Sequence, residues 1–180
     1  MSIKIVDATG QEQLNNIYEL YMKAFPKSER KPFSVITDKQ KEGAVDILSI
    51  ENEDGEFIGE AITVKYKDLV LLDYFAIDPE KRSAGYGSLA LKLLHKRYDK
   101  KRFILEIERD DVECDNKEQR IKRKNFYLKN SMQLMDYNVC LFGVEMNILT
   151  YNCSVTFEEY HDIFINVFGD KTAQNVTLAE

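Results

Sequence analysis

The apolar and polar positions of this chain switch repeatedly between the two periods that separate strands from helices. Ile3-Lys4-Ile5-Val6 reads as a short strand. Glu12 to Ala24 then follows the helical period, with Leu14, Ile17, Tyr18, Leu20, Tyr21 and Phe25 on or near one face. Pro26 stops that helix. A charged loop from Phe25 to Phe33 carries a proline near either end, and a shorter helix runs from it through about Lys41 to Gly43. Strands follow at Val45 to Ile50, Glu56 to Tyr66 and Leu69 to Ile77, joined by turns at Asn52-Glu53-Asp54-Gly55 and Lys67-Asp68. The last of these is nearly continuous in apolar residues, which predicts burial on both faces.

Beyond a polar loop, Ser88 to Lys100 predicts a helix, apolar through Leu89, Leu91, Leu93, Leu94 and Tyr98 and solvated through Lys92, Lys96, Arg97 and Lys100. Phe103 to Glu108 reads as a strand and Glu118 to Asn130 as a helix. Strands at about Gln133 to Val139 and Gly143 to Tyr151 precede a helix from Thr156 to Phe168. Without repeats or linkers, this order predicts a single domain over residues 1–180. Its class is mixed α/β (α+β): a twisted, mostly antiparallel sheet of about seven strands flanked by helices.

Composition narrows the class. The 180 residues, 44% hydrophobic and 31% charged, suit a soluble domain with a core of its own. With 25 Lys and Arg against 31 Asp and Glu, the net charge is −6. An acidic chain of this kind binds nucleic acid poorly, and a cationic or amine-bearing small ligand fits it better. Cys114, Cys140 and Cys153 are scattered, and with only His95 and His161 beside them they offer no zinc site and no disulfide framework; no metal is expected. Reduced thiols, the lack of an apolar amino-terminal segment and the lack of an apolar run near 20 residues predict a cytoplasmic protein without a membrane partner.

The candidate chemistry lies in Ile77-Asp78-Pro79-Glu80-Lys81-Arg82-Ser83-Ala84-Gly85-Tyr86-Gly87-Ser88, between a buried strand and a helix amino terminus. Two glycines allow positive φ and close approach of a ligand, and first-turn N–H groups with the helix dipole favour a phosphate. Arg82 can add a charge-assisted contact. The Walker pattern is excluded, since no lysine stands in the required place. Gly85-Tyr86-Gly87-Ser88-Leu89-Ala90 matches G-x-G-x-x-A, with Glu106 or Glu108 about 20 residues on. The first glycine, however, sits well off the strand, and only one strand–helix–strand unit is present. A plain helix-capping turn is the bland alternative.

The same stretch resembles the acyl-CoA loop of the GNAT acetyltransferases, V-x-P-x-x-[RQ]-x-x-G-x-[GA], with Ile77, Pro79, Arg82, Gly85 and Gly87 in place. Downstream, Arg123-Lys124-Asn125-Phe126-Tyr127-Leu128-Lys129-Asn130-Ser131-Met132 is similar to that family's R/A-x-x-[LF]-Y-x-x-x-G-F helix end, with Ser131-Met132 in place of Gly-Phe. The resemblance covers about Val45 to Met132. It implies the acyl-CoA N-acyltransferase fold and acetyl transfer from acetyl-CoA to a primary amine of a small molecule, directly in a ternary complex. A catalytically silent acyl-CoA module on the same fold, or transfer to a protein amine, are the alternatives. A second copy of the chain is a candidate partner, packing at the closing segment from Tyr151.

By the same resemblance, N–H groups of Ser83, Ala84, Gly85, Tyr86, Gly87 and Ser88 cradle the pyrophosphate beside Arg82. The strand through Phe75, Ala76 and Ile77 pairs with the pantetheine arm and polarises the thioester carbonyl. Tyr127 protonates the sulfur; its alternative is a packed core tyrosine. Glu106 and Glu108, two apart on a strand, point to one face, and Leu105-Glu106-Ile107 resembles the family's Leu-Glu-Val base segment. Two carboxylates together would raise one pKa and draw in a protonated amine, unless both merely line a solvated face. Asp73 and Glu60 are weaker candidates for the base, Glu60 being expected at the surface. The loop with Glu29 and Arg30 is expected to wall the acceptor site, Arg30 holding the carboxylate of an amino-acid-like substrate; the alternative is a surface turn.

Overall fold

Eight strands are hydrogen-bonded in the order β1-β2-β3-β4-β5-β7-β6-β8 in the computed structural model, which describes residues 2–179. They belong to two compact units. One runs up to Lys65 and adds Leu72–Arg97; the other takes Tyr66–Leu71 and the residues from Tyr98 on.

The first unit contains β1 (Ile3–Asp7), α1 (Gln11–Ala24), α2 (Phe33–Lys41), β2 (Val45–Asn52), β3 (Phe57–Tyr66), most of β4 (Leu69–Ile77), a 3-10 turn (Pro79–Lys81) and α3 (Tyr86–Arg97). β1, β2 and β3 are antiparallel, with Ile5 opposite Ile50, Ile47 opposite Ile62 and Ser49 opposite Glu60. Alternation along the strands sorts the apolar residues onto two faces. On one, Ile3, Ile50 and Ile58 pack with Ala90, Leu89 and Leu93 of α3, joined by Phe75 and Ile77. On the other, Tyr74 meets Tyr21 and Phe25 edge-on at centroid distances of 4.8 and 4.9 Å. Such tilted pairs fix ring positions as well as burying area.

Gly59 sits where β3 lies close against the end of β4. A Cβ there would collide with the carbonyl oxygen of Ala76 and stand 3.1 Å from Ile77 Cα. Because both are main-chain atoms, no rotamer change relieves the clash. Gly59→Ala is therefore expected to destabilise the chain by about 2 kcal/mol, read as a lower denaturation midpoint at unchanged slope. Equal midpoints would contradict the packing.

The second unit contains β5 (Arg102–Glu108), α4 (Lys117–Lys129), β6 (Gln133–Leu141), β7 (Val144–Tyr151), α5 (Phe157–Ile163), a π turn (Phe164–Phe168), α6 (Asp170–Ala173) and β8 (Val176–Leu178). Arg102 anchors its start, with Nε 2.7 Å from Asp68 Oδ2 and Nη2 2.7 Å from Glu159 Oε1. Glu159 also closes a capping box with Thr156, so one carboxylate starts α5 and ties it to β5.

Three expectations shift. The single helix from Thr156 to Phe168 is α-helical only to Ile163, after which a π turn carries Phe164 inward and Gly169 ends it at φ 85°. An eighth strand, β8, pairs with β6, so the sheet has one strand more than about seven. α3 starts at Tyr86 rather than Ser88, which places Tyr86 and Gly87 in its first turn.

Candidate functional site

β4 ends at Ile77, and the chain then turns sharply in two steps. Asp78 donates its N–H to Ile58 O at 2.9 Å and accepts the Glu80 N–H on its side chain at 2.9 Å, closing the Pro79–Lys81 turn. Arg82 Nε donates to Ile77 O at 3.0 Å, so this exposed guanidinium lies over the strand end. Ser83 at φ 67° and Gly85 at φ 83° both take left-handed backbone. Left-handed residues in such a bend are a feature of the turns that make anion-binding concavities. Among the described residues, none of the N–H groups of Ser83, Ala84, Gly85, Tyr86, Gly87 and Ser88 donates to the chain; the first bond of α3 runs from Leu89 N to Gly85 O at 3.2 Å. Phe75 and Ile77 of β4 and Tyr86 and Leu89 of α3 all pack against the same buried cluster of Ile3, Ile50, Ile58 and Ala90, which ties the strand end to the first turn of α3.

The loop before α2 is held by two phenols. Tyr21 Oη donates to Lys31 O at 2.8 Å, Lys31 N donates to Tyr74 Oη at 3.1 Å, and Tyr74 Oη donates to Glu29 O at 2.9 Å. Burial pushes the Tyr21 hydroxyl well above its ordinary range, so it stays a donor. Lys31 Nζ lies 2.7 and 2.8 Å from the two oxygens of Asp73 and over the Tyr74 ring. Asp73, expected as a candidate base, is thus the counter-ion of a lysine that sequence reasoning passed over. Arg30 Nη1 donates to Met22 O at 3.4 Å, which folds its guanidinium back onto α1. Glu60 corrects an expectation outright. It is 0% exposed rather than on the surface, with no hydrogen-bond partner for either carboxyl oxygen. Burial alone raises its pKa well above the ordinary value.

In the second unit, Tyr127 is buried on α4, edge-on to Phe126 at 5.1 Å. Its hydroxyl is pushed up to about 12 by burial, slightly offset by Arg123, which keeps it protonated. The departure at the helix end is absorbed locally. Ser131 takes φ 67°, the left-handed conformation usual for a glycine after a helix, and Met132 is buried with its N–H on Tyr127 O at 3.1 Å. Glu106 accepts the Tyr160 hydroxyl at 2.7 Å. Glu108 is buried between Arg120 Nη2 at 2.6 Å and Arg123 Nη1 at 3.0 Å. The two glutamates are therefore engaged by different helices. Sequence reasoning passes over Tyr160 and Arg120 and reads Arg123 only as part of the helix-end motif, because pairing across such separations leaves no local pattern.

No known family profile and no curated protein matches the sequence. Solved structures do match. A protein from Bacteroides thetaiotaomicron, described as an acetyltransferase of the GNAT family, superposes with TM-score 0.77 at 21% identity, covering 94% of this chain and 99% of the other. Spermidine N-acetyltransferase from Vibrio cholerae, in complex with CoA and spermine, gives TM-score 0.65 at 11% identity over 82% and 94%. The ribosomal-protein-S18-alanine N-acetyltransferase from Escherichia coli gives 0.63 at 16% identity over 86% and 96%. The fold is the one these acetyltransferases share.

Proposed function

We propose that this chain, built on the GNAT acetyltransferase fold, moves an acetyl group from acetyl-CoA to a primary amine. The observation that carries the reading is the run of undonated N–H groups from Ser83 to Ser88 at a strand-to-helix bend. A helix amino terminus with free donors stabilises a phosphate through its dipole and through direct hydrogen bonds. A diphosphate gripped there lies beside the end of β4, the stretch from Phe75 to Ile77 that the resemblance assigns to the pantetheine arm. The spermidine and alanine acetyltransferases named above act on amines, and the acidic balance of this chain suits a cationic acceptor.

The roles are those that the resemblance to the GNAT acetyltransferases implies. Main-chain N–H groups near Phe75 and Ala76 polarise the thioester carbonyl. Tyr127, kept protonated by burial, supplies a proton to the departing sulfur. Glu106, fixed by the Tyr160 hydroxyl, contributes negative charge that attracts an ammonium group, whereas the charge of Glu108 is offset by Arg120 and Arg123. Arg30 and Asp73 border the acceptor end, Asp73 through the ion pair with Lys31. Transfer is direct, in a complex holding donor and acceptor together.

Calorimetry with CoA, followed by thiol release from acetyl-CoA with a panel of primary amines, tests the reading. Saturable CoA binding and amine-dependent thiol release are expected. Saturable binding with no release for any amine would favour a silent acyl-CoA module, and no binding would end the proposal.

A further inference from the structure

We propose that Glu60 is the internal proton acceptor of this reaction, taking the proton that the acceptor's ammonium group must lose; the inference rests on the acetyl-transfer reading. A buried carboxyl with two unpartnered oxygens costs several kcal/mol in an apolar interior, and folds keep such groups chiefly where they have work to do. Glu60 is the fourth of the ten residues of β3, whose Ile58, Gly59, Ala61 and Ile62 are all buried around it.

Placement supports the role. The Asp78 N–H bonds to Ile58 O, and Gly59 abuts Ala76 O and Ile77, so one residue further along this antiparallel approach Glu60 comes level with Ala76. Ala76 is in the segment of β4 assigned to the thioester. Directly opposite Glu60 on β2 stands Ser49, buried and without a well-formed hydrogen bond of its own. Two residues further on the same face comes Glu51, where burial, which would raise the pKa, is outweighed by the hydrogen bond from Gln13 and the charge of Lys4, so that it lies below the ordinary value. Glu51 accepts from Gln13 Nε2 at 2.8 Å and pairs with the half-exposed Lys4 at 3.3 Å. Glu60, Ser49 and Glu51 thus form a polar file from the interior to the surface, along which a proton can leave.

The titratable groups on elements that pack at this face include Tyr21, Tyr18, Glu12, Glu19 and Lys23 on α1, Tyr74 and Asp73 on β4, and Lys31 in the loop. On α2 they are Asp38, Lys39 and Lys41, of which Asp38 pairs with Lys41, and Lys39 pairs with Glu42 just beyond the helix. None of them bonds to Glu60, and burial is the sole cause of its raised pKa, which moves a carboxylate towards the pH where a base works best. In the reaction, the ammonium gives one proton to Glu60, and the nitrogen lone pair forms the N–C bond as the C–S bond breaks. The second amine proton ends on the departing sulfur, and the proton on Glu60 passes to solvent.

The sign of the stability effect follows. Because the folded-state pKa is raised, the folded chain binds the proton more tightly than the unfolded one. The contribution of Glu60 to stability is fully present below about 4.5 and declines as pH rises towards the folded value. The test compares wild type with Glu60→Gln, using acetyl-CoA with spermidine and with n-butylamine as amines. Glu60→Gln is expected to bind CoA as wild type does, to melt higher at neutral pH and to lose that pH slope. It should release thiol about a hundredfold more slowly and lack the acid limb seen in the wild-type pH profile of kcat/KM. Release within threefold of wild type with the same limb overturns the inference alone. A lower melting point with unchanged pH slope assigns Glu60 to structure and overturns it as well. Absence of release by wild type with either amine, despite CoA binding, overturns the inference together with the acetyl-transfer reading.

Discussion

Gly85→Glu should weaken CoA binding about a hundredfold while leaving the fold intact. A carboxylate roughly 5 Å from a phosphate costs about 3 kcal/mol at an effective dielectric constant near 20, which is about two decades in Kd. Two other effects accompany the substitution and have to be separated from this one. Gly85 has φ +83°, so any side chain strains the backbone; a Cβ there meets nothing within 4 Å, so there is no steric clash. A negative charge beside the first turn of α3 interacts favourably with the helix dipole. Gly55 supplies the control, because it has φ +82° and equally open surroundings in the turn between β2 and β3. Gly55→Glu carries the same strain without the charge at the anion site. Calorimetry on both variants should therefore show a loss confined to Gly85→Glu. Equal affinities in the two would mean that the diphosphate binds elsewhere.

Arg120→Ala is expected to cost about 3 kcal/mol of stability, against less than about 1 kcal/mol for Arg123→Ala. Both guanidiniums touch Glu108, yet their settings differ. The Arg120 side chain is 12% exposed and that of Glu108 is 6%, whereas Arg123 is 42% exposed. Arg120 also donates to Arg109 O at 3.0 Å and to Asn116 Oδ1 at 2.8 Å, joining β5 to the start of α4. Its removal strands a buried carboxylate and opens a main-chain acceptor; removal of Arg123 leaves Arg120 in place. Adding Glu108→Gln to Arg120→Ala should recover part of the loss, because the stranded charge is gone. Urea denaturation of the set measures this, and two small, equal effects would show that water reaches Glu108.

The sequence made the element order readable, because long amphipathic segments carry their own period. α1 follows its Leu14–Tyr21 stripe, and the strands of the meander fall between turns rich in glycine and aspartate. The loop after Ile77 was equally plain, since its proline, arginine and glycines are local. Burial of Glu60 was harder to see. It was placed at the surface because glutamates usually lie there, although Ile58, Ala61 and Ile62 around it form an apolar run that a surface strand would interrupt. Pairings across long separations left no trace. Lys31 meets Asp73 across 42 positions and Tyr160 meets Glu106 across 54, and neither spacing has a signature. β8 was missed because three residues are too few for a period to emerge.

The phenol clamp on the loop ahead of α2 has a consequence for diversification. Tyr21 and Tyr74 grip carbonyl and amide groups of Glu29 and Lys31, so the path of this segment is dictated from outside by atoms every residue possesses. Its side chains can then be exchanged while the main chain keeps its course. Under the proposed function, a descendant of this protein could acquire a taste for a different amine through changes at positions 27 to 30, with no need to rebuild the scaffold beneath.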